Sequence, residues 1–163
     1  MEKEDGKIIY NSSSPDEVAL INFAKQEGKD LLGEEKRMIR IAERAEPGSR
    51  NSTKVVEYEK LAILEFNSER KRMSVIIRDP MTKRIELLTK GADSTIEPLL
   101  RDGQADLAPT KAHVDRLSVL GLRTLFLGKK TLTEDEYQRW FRELQEARST
   151  IGDDKKAKVS ACY

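Results

Sequence analysis

A strand that enters a charged connection and then a second strand, over residues 61–77, is the feature that most constrains this chain. Apolar residues fill 61–64, and Phe66 follows at the start of the connection. After the cations at 70–72, apolar side chains alternate over 73–77, the spacing of a half-buried strand. An aromatic ring beside cations suits a nucleotide, because a base can stack on the ring and phosphates need positive charge.

Both halves of this pattern also have an ordinary explanation. A single phenylalanine such as Phe66 is more often a core residue than a stacking platform. The charged run 69–72 is typical of a solvated turn, and it is short and diluted by Glu69 as a nucleic-acid patch. Neither feature identifies a site without support from other parts of the chain.

Composition limits the class of protein. The 163 residues suffice for one ordinary domain. The formal net charge of +1 gives no long-range attraction to nucleic acid or to an acidic membrane. With the single Cys162 and the single His113, the sequence predicts no intrachain disulfide, no zinc site and a reducing compartment.

The ends of the chain are polar, and no apolar run approaches the ~18 residues of a membrane span. Residues 1–7 do not have the pattern of a signal peptide. We therefore expect a soluble, monomeric fragment with one folded domain over 8–151 and flexible polar ends at 1–7 and 152–163.

The first helix is predicted from its boundaries. Ser14 is placed to be the N-cap, Pro15 takes the first helical position, and Glu17 completes a capping box. An apolar stripe over 20–24 is expected to face inward, and Gly28 to end the helix. Glu17 therefore has a structural explanation as a capping residue.

Alternation and turn residues predict the remaining elements. The expected strands are 8–10, 38–44, 55–58, 60–66, 75–78, 84–90 and 124–127, with a loop or bend at 31–35, a turn cluster at 46–52 and a hairpin connection at 79–83. Asp93 is expected to cap a short helix limited by Pro98, and Thr110 a helix that ends at Gly121. The fold class is thus α+β, a twisted, mostly antiparallel sheet flanked by helices.

The last helix carries the strongest helical signal. Thr133 and Glu136 form a second capping box. Four large apolar residues then recur at i, i+3, i+4 and i+7: Tyr137, Trp140, Phe141 and Leu144. This spacing predicts a core-facing stripe, with Trp140 as a packing anchor.

Four motifs occur in a fixed order along the chain: Ser13-Ser14-Pro15-Asp16-Glu17, the stretch 65–74, Lys90-Gly91-Ala92-Asp93 and Gly121-Leu122-Arg123-Thr124-Leu125. Together they resemble the nucleotide-binding domain of P-type ATPases, specifically of the phospholipid flippases of the fourth subfamily. The resemblance runs from Ile8 to Tyr163, and residues 28–60 depart from the flippase pattern.

The resemblance implies that the chain binds ATP and presents its γ-phosphate to a separate phosphorylation domain. It implies that Phe66 stacks on adenine, that Glu17 faces the base, and that Met73 and Ser74 line the pocket. By the same resemblance Lys71 and Lys90 contact the nucleotide, Gly91 permits a close backbone approach, and Arg123 reaches the phosphates. A lysine in the position of Lys90 is ordinarily just solvated.

The sequence contains no Walker-type glycine loop and no Asp-Lys-Thr-Gly, the P-type motif that carries the phosphorylated aspartate. We therefore expect no catalytic residue, no metal site and no turnover in the fragment. The resemblance implies Mg²⁺ that arrives with ATP, phosphorylation and actuator domains of the same polypeptide as partners, no nucleic acid, and a place at the cytosolic face of a membrane whose spans lie outside this sequence.

Two alternatives remain open at this stage. One is the corresponding domain of another P-type class, such as a cation pump, since transport substrates are selected by membrane segments. The other is a degenerate interaction domain that no longer binds nucleotide. Nucleotide titration followed by NMR separates the second alternative, because a degenerate domain would show no shifts at Phe66 and Lys90.

Overall fold

The structure, a computed structural model, describes residues 2–4, 7–9, 14–44, 53–150 and 158–159. Its strands are β1 (Glu2–Glu4), β2 (Lys7–Ile9), β3 (Lys29–Glu35), β4 (Met38–Arg44), β5 (Thr53–Leu64), β6 (Arg72–Arg78), β7 (Ile85–Gly91) and β8 (Phe126–Leu132). Its helices are α1 (Pro15–Gln26), α2 (Asp93–Ile96), α3 (Leu107–Val119) and α4 (Glu134–Ser149), with a 3₁₀ turn at Glu97–Leu99 after α2.

The strands form two sheets within the described residues. β1 and β2 pair as an antiparallel hairpin. The other strands, β3 to β8, are hydrogen-bonded in chain order, and the registers of β3 with β4, β4 with β5 and β7 with β8 are antiparallel. The connection from β7 to β8 contains α2 and α3, and the sheet together with the helices confirms the predicted α+β class.

The chain divides into two compact units, Met1–Leu61 with Arg78–Lys83, and Ala62–Ile77 with Arg84–Tyr163. In the first unit α1 packs beside β3. Gly28 joins them with a φ of +84°, and its carbonyl accepts a hydrogen bond from the Arg44 amide at 2.9 Å. The predicted helix end at Gly28 is confirmed, since glycine takes this left-handed conformation without strain.

Two predictions for α1 are wrong. Ser14 is the N-cap, but its side chain makes no capping hydrogen bond, so the expected capping box is not formed. The expected inward stripe is not buried either, and Phe23 is 61% exposed. The buried apolar residues of this unit lie instead on the strands, at Ala42, Val56 and Leu61.

The strands of the first unit differ from the prediction at two places. The expected loop or bend at 31–35 belongs to β3, whose pairing with β4 shifts register between Leu31 and Gly33. The strands predicted separately at 55–58 and 60–66 are one continuous strand, β5. The predicted turn cluster at 46–52 lies outside the described residues.

The hairpin connection at 79–83 is confirmed. The Asp79 carboxylate accepts hydrogen bonds from the amides of Met81 and Thr82, both at 2.8 Å, and the Lys83 amide donates to the Asp79 carbonyl at 2.9 Å. An aspartate that bonds its own following backbone in this way stabilises a tight turn.

The second unit contains the larger apolar core. Its buried residues come from β5 to β8, α2 and α4: Leu64, Ile76, Ile77, Ile85, Ile96, Phe126, Tyr137, Leu144 and Ala147. Among them Ile85, Ile96 and Leu144 are 2% exposed. α2 packs beside β7 and β8, so Ile96 covers this part of the sheet.

The helices of the second unit confirm some predicted ends and correct others. Thr133 and Glu136 form the predicted capping box of α4, and α3 terminates before Gly121, whose φ is +74°. α3 begins earlier than expected, with Asp106 rather than Thr110 as its N-cap. Asp93 is the first residue of α2, not its N-cap, which is Ala92.

Within the described ranges no helix is long and apolar enough to cross a membrane.

Candidate functional site

The connection between β5 and β6, residues 65–71, carries Phe66 and is called the aromatic turn below. The Phe66 side chain is 61% exposed. Asn67 holds the turn, because its Oδ1 accepts from the Arg70 amide at 2.6 Å and its carbonyl accepts from the Lys71 amide at 2.8 Å. The turn therefore presents an aromatic ring to solvent from a backbone that is hydrogen-bonded on itself.

The three consecutive cations in this stretch have different environments, which corrects the expectation of a cationic cluster beside Phe66. Arg70 is 7% exposed and donates from Nη1 to the Glu65 carbonyl at 3.1 Å. Arg72 is half-buried and donates from Nη1 to the Arg70 carbonyl at 3.3 Å. Lys71 is exposed. Of the three, Lys71 is thus the cation best placed to meet a ligand from solvent.

Gly91, at the end of β7, lies directly against the end of the aromatic turn. A Cβ atom at this position would lie 2.7 Å from the Lys71 carbonyl oxygen and 2.8 Å from the Arg72 Cβ. The Lys71 carbonyl also accepts from the Ala92 amide at 3.4 Å, and Lys71 itself has a φ of +50°. Only glycine permits this approach, so Gly91 brings two of the predicted motifs together.

A hydroxyl pair fixes which face of the sheet each pocket residue occupies. The Thr89 Oγ1 donates to the Ser74 Oγ at 2.9 Å, so the two side chains share one face. Because neighbouring residues of a strand alternate, Met73 and Lys90 both belong to the opposite face. Leu127 pairs with Lys90 in the register and is 70% exposed, so the Lys90 face is open there.

Ser74 lies on the covered face. It is 5% exposed, and its hydroxyl is bonded to Thr89. Thr89 pairs with Gly128, and a Cβ at Gly128 would lie 3.6 Å from the Ile96 Cγ2, so α2 covers this side. The predicted pocket residues Met73 and Ser74 are therefore separated by the thickness of the sheet.

The remaining predicted residues belong to other elements. Arg123 is exposed, in the segment between α3 and β8. Glu17 is half-buried in the first turn of α1, in the other compact unit.

Sequence reasoning missed two residues that shape this site, Asn67 and Thr89, and it grouped a third, Arg70, with the cations beside Phe66 without indicating its burial. Asn67 had a detectable signal, because asparagine in a polar connection commonly accepts hydrogen bonds from the following amides. Arg70 and Thr89 had none, since burial of a cation and a hydroxyl contact across strands depend on the tertiary fold.

A separate cavity of about 350 Å³ lies between α3 and the start of β8. Its lining is mostly apolar and includes Leu100, Leu107, Val114 and Phe126, with Asp106 among the polar residues. No lysine or arginine lines it, so this cavity does not suit a polyphosphate.

In the part of the chain that the structure describes, no three His, Cys, Asp or Glu side chains are grouped so as to hold a metal ion.

The chain matches, over residues 1–158, the family described as P-type ATPase, cytoplasmic domain N. It is 39% identical over 158 residues to the probable phospholipid-transporting ATPase 5 of Arabidopsis thaliana, covering 95% of this chain and 12% of that protein. It is 39% identical over 160 residues to the phospholipid-transporting ATPase C4F10.16c of Schizosaccharomyces pombe, covering 96% and 11%. It is 41% identical over 147 residues to the phospholipid-transporting ATPase DNF1 of Chaetomium thermophilum, covering 87% and 9%. The chain thus spans only 9–12% of the length of these three relatives.

Proposed function

The chain belongs to the P-type ATPase family as its cytoplasmic domain N, and from this premise we propose that it binds ATP and offers the γ-phosphate to a phosphorylation domain. The observation that carries the proposal is the exposure of the Phe66 ring. The turn that holds this ring is fixed by its own hydrogen bonds and by its close contact with Gly91 at the end of β7. An exposed ring can stack on a base from solvent, whereas a buried one cannot.

The proposed contacts follow the environments of the side chains. Phe66 stacks on adenine, and Met73 and Lys90 line the open face of the sheet beside the base and ribose. Lys71 and Arg123, both exposed, supply charge to the phosphates. Ser74 contributes by holding β6 to β7 through Thr89, and Gly91 by seating the aromatic turn.

Glu17 is proposed to face the base. Its carboxylate would accept a hydrogen bond from the exocyclic amine of adenine.

Affinity on this basis is modest. Stacking supplies about 1–3 kcal/mol, and a charge-assisted hydrogen bond about 1.5–3 kcal/mol. Association costs at least ~4 kcal/mol in lost freedom. Without a glycine-rich phosphate cradle, we expect a dissociation constant near ~1 mM.

The function of the whole protein is also part of the proposal. Its similar relatives are named phospholipid-transporting ATPases, and we propose that this chain is the ATP-binding domain of such a flippase, at the cytosolic face of the membrane. Mg²⁺ would enter with the nucleotide, and the phosphorylation and actuator domains of the same polypeptide would be the partners. Because the sequence has no Asp-Lys-Thr-Gly, the acceptor aspartate would come from the phosphorylation domain.

The experiment is a titration of the domain with ATP, ADP and AMP by NMR or calorimetry. If the base dominates recognition, the three dissociation constants should agree within roughly tenfold, a range of about 1.4 kcal/mol. Phe66→Ala should raise each constant by at least about fivefold, the lower bound of the stacking effect. Leu120→Ala, which truncates another exposed apolar residue of the same unit, is the matched control and should change none of them.

A steep loss of affinity toward AMP would refute recognition led by the base. Absence of binding by the folded wild-type domain would instead favour a degenerate interaction domain.

A further inference from the structure

Arg70 is buried within the aromatic turn and is hydrogen-bonded at three points. Its Nη1 donates to the Glu65 carbonyl at 3.1 Å, its amide donates to Asn67 Oδ1 at 2.6 Å, and its carbonyl accepts from Arg72 Nη1 at 3.3 Å. Only 7% of the residue is exposed. The guanidinium contact made by Nη1 stays within the turn itself, so the position of Arg70 indicates a structural task there.

We propose that Arg70 is a positioning residue of the nucleotide site, which fixes the backbone next to Phe66 and so presents the ring to the base without touching the ligand. The inference rests on the proposed function, because it concerns the same site. Glu65, whose carbonyl receives the guanidinium, immediately precedes Phe66. The bond therefore acts on the peptide unit from which the ring projects.

The far end of the turn is held by a different set of contacts. The Lys71 amide donates to the Asn67 carbonyl at 2.8 Å, and the Lys71 carbonyl lies against Gly91. This end of the turn therefore contacts β7. At the near end, the Arg70 side chain is hydrogen-bonded to the Glu65 carbonyl of the same turn. Phe66 lies between the two held ends, and its side chain is open to solvent.

Holding the turn in advance favours binding. A ring on an unrestrained loop loses conformational freedom when a base stacks on it, and this loss weakens affinity. A ring on a held turn has already lost that freedom during folding. Arginine suits the task because its planar guanidinium donates in a fixed geometry, here from Nη1 to the Glu65 carbonyl.

The alternative role for Arg70 is a direct charge contact with the phosphates, and the two roles differ in their ligand dependence. A positioning role through Phe66 affects adenosine and ATP by the same factor. A phosphate contact affects ATP and leaves adenosine unchanged. The two roles also differ in whether the effect of Arg70 requires the Phe66 ring.

The test is a double-mutant cycle on the whole domain, with Arg70→Met introduced into the wild type and into Phe66→Ala. NMR titration with ATP and with adenosine gives the dissociation constants. In the wild type we expect Arg70→Met to raise both constants by about fivefold. In Phe66→Ala we expect it to change them by less than about twofold, since contacts that act through a shared partner are not additive.

Arg101→Met is the matched control, an exposed arginine of the same unit that should change neither constant. Thermal unfolding of each variant shows whether it is folded at the titration temperature. If Arg70→Met does not fold, Asn67→Ala replaces it in the same cycle, because it removes the Arg70 amide contact and leaves the buried guanidinium in place.

Three outcomes would overturn the inference: a loss for ATP without one for adenosine, an equal loss in the Phe66→Ala background, or no loss in a folded variant. In each of these the wild type still binds ATP in a Phe66-dependent way, so the proposed function stands. If the wild type binds neither ligand, the proposed function fails and this inference fails with it.

Discussion

The aromatic turn and the inner face of α4 both contain aromatic residues, but they use them in opposite ways. On α4 the Tyr137 ring centroid lies 6.0 Å from that of Trp140 and 5.8 Å from that of Phe141, and Tyr137 is 5% exposed. In the aromatic turn Phe66 is 61% exposed. α4 is held through its side chains, whereas the turn is held through its backbone, which leaves its ring available for a ligand.

The contrast predicts where a mutation lowers stability and where it lowers binding. Burial of apolar side chains stabilises a domain roughly in proportion to the area removed from water. Hydrogen bonds and a glycine contact fix the path of the turn without burying Phe66. Truncations on α4 should therefore unfold the domain, and changes in the turn should alter nucleotide affinity first.

The largest expected effect is that of Leu144→Ala. Leu144 is 2% exposed on α4, so its truncation leaves a cavity and should lower the free energy of unfolding by about 2–5 kcal/mol. Urea unfolding followed by the fluorescence of Trp140 measures the change. Phe66→Ala, at an exposed site, should stay within about 0.5 kcal/mol of the wild type. Equal destabilisation by the two variants would show that Phe66 is ordinary core and would remove the contrast.

The elements that were predicted correctly are those specified by local signals. The capping box of Thr133 and Glu136 and the helical spacing of the following apolar residues lie within 12 consecutive positions, Thr133 to Leu144, and both are present in α4. Gly28 and Gly121 likewise mark helix ends by their own backbone preference. Such signals do not depend on distant parts of the chain.

The errors occur where tertiary context decides. β3 was missed because its large apolar residues, Leu31 and Leu32, are adjacent and give no alternation, and because its register with β4 shifts between Leu31 and Gly33. The stripe on α1 was expected to be buried, yet periodicity alone cannot tell whether another element covers it.

In the candidate site, the sequence indicated the aromatic ring, the lysines and the glycine, but not their arrangement. Arg70 turns inward while Lys71 stays outside. This arrangement depends on the left-handed backbone of Lys71 and on Gly91, a glycine 20 positions later. Left-handed lysines are uncommon, and no local pattern marked this one. The separation of Met73 from Ser74 does follow from strand alternation, but only the Ser74–Thr89 contact identifies which of them is on the covered face.

Gly91→Ala is expected to have an intermediate effect, and it couples the two kinds of response. The added methyl group would lie 2.7 Å from the Lys71 carbonyl oxygen, so the turn must move, at a cost of about 1–3 kcal/mol. Because the moved turn carries Phe66, ATP affinity should also fall in the protein that remains folded. Calorimetric titration below the unfolding transition measures that loss.

Gly128→Ala on β8 is the matched control for Gly91→Ala. A Cβ there meets Ile96 and Leu100 at ordinary contact distances of 3.6 and 3.8 Å, so both stability and ATP affinity should be close to those of the wild type. Unchanged ATP affinity in Gly91→Ala would show that the position of the turn does not govern binding.

The smallest expected effect concerns the start of α4 and should appear only as a dependence of stability on pH. The hydrogen bond from the Thr133 backbone amide, at 2.8 Å, and then that from Lys130 lower the pKa of Glu136 below its ordinary value of 4.5. A carboxylate with a depressed folded-state pKa contributes stability that is full above pH 4.5 and is lost as the pH falls through the folded-state pKa. Glu136→Gln should therefore be less stable than the wild type at pH 7, and the two should converge in acid below pH 4.5.

Thermal unfolding from pH 7 to pH 3 measures the difference, with Glu143→Gln, an exposed glutamate on the same helix, as the control. A difference between Glu136→Gln and the wild type that stays constant across this range would show that the ionised carboxylate does not stabilise the helix start. In that case the capping hydrogen bonds of α4, like those of the aromatic turn, would serve to position the backbone.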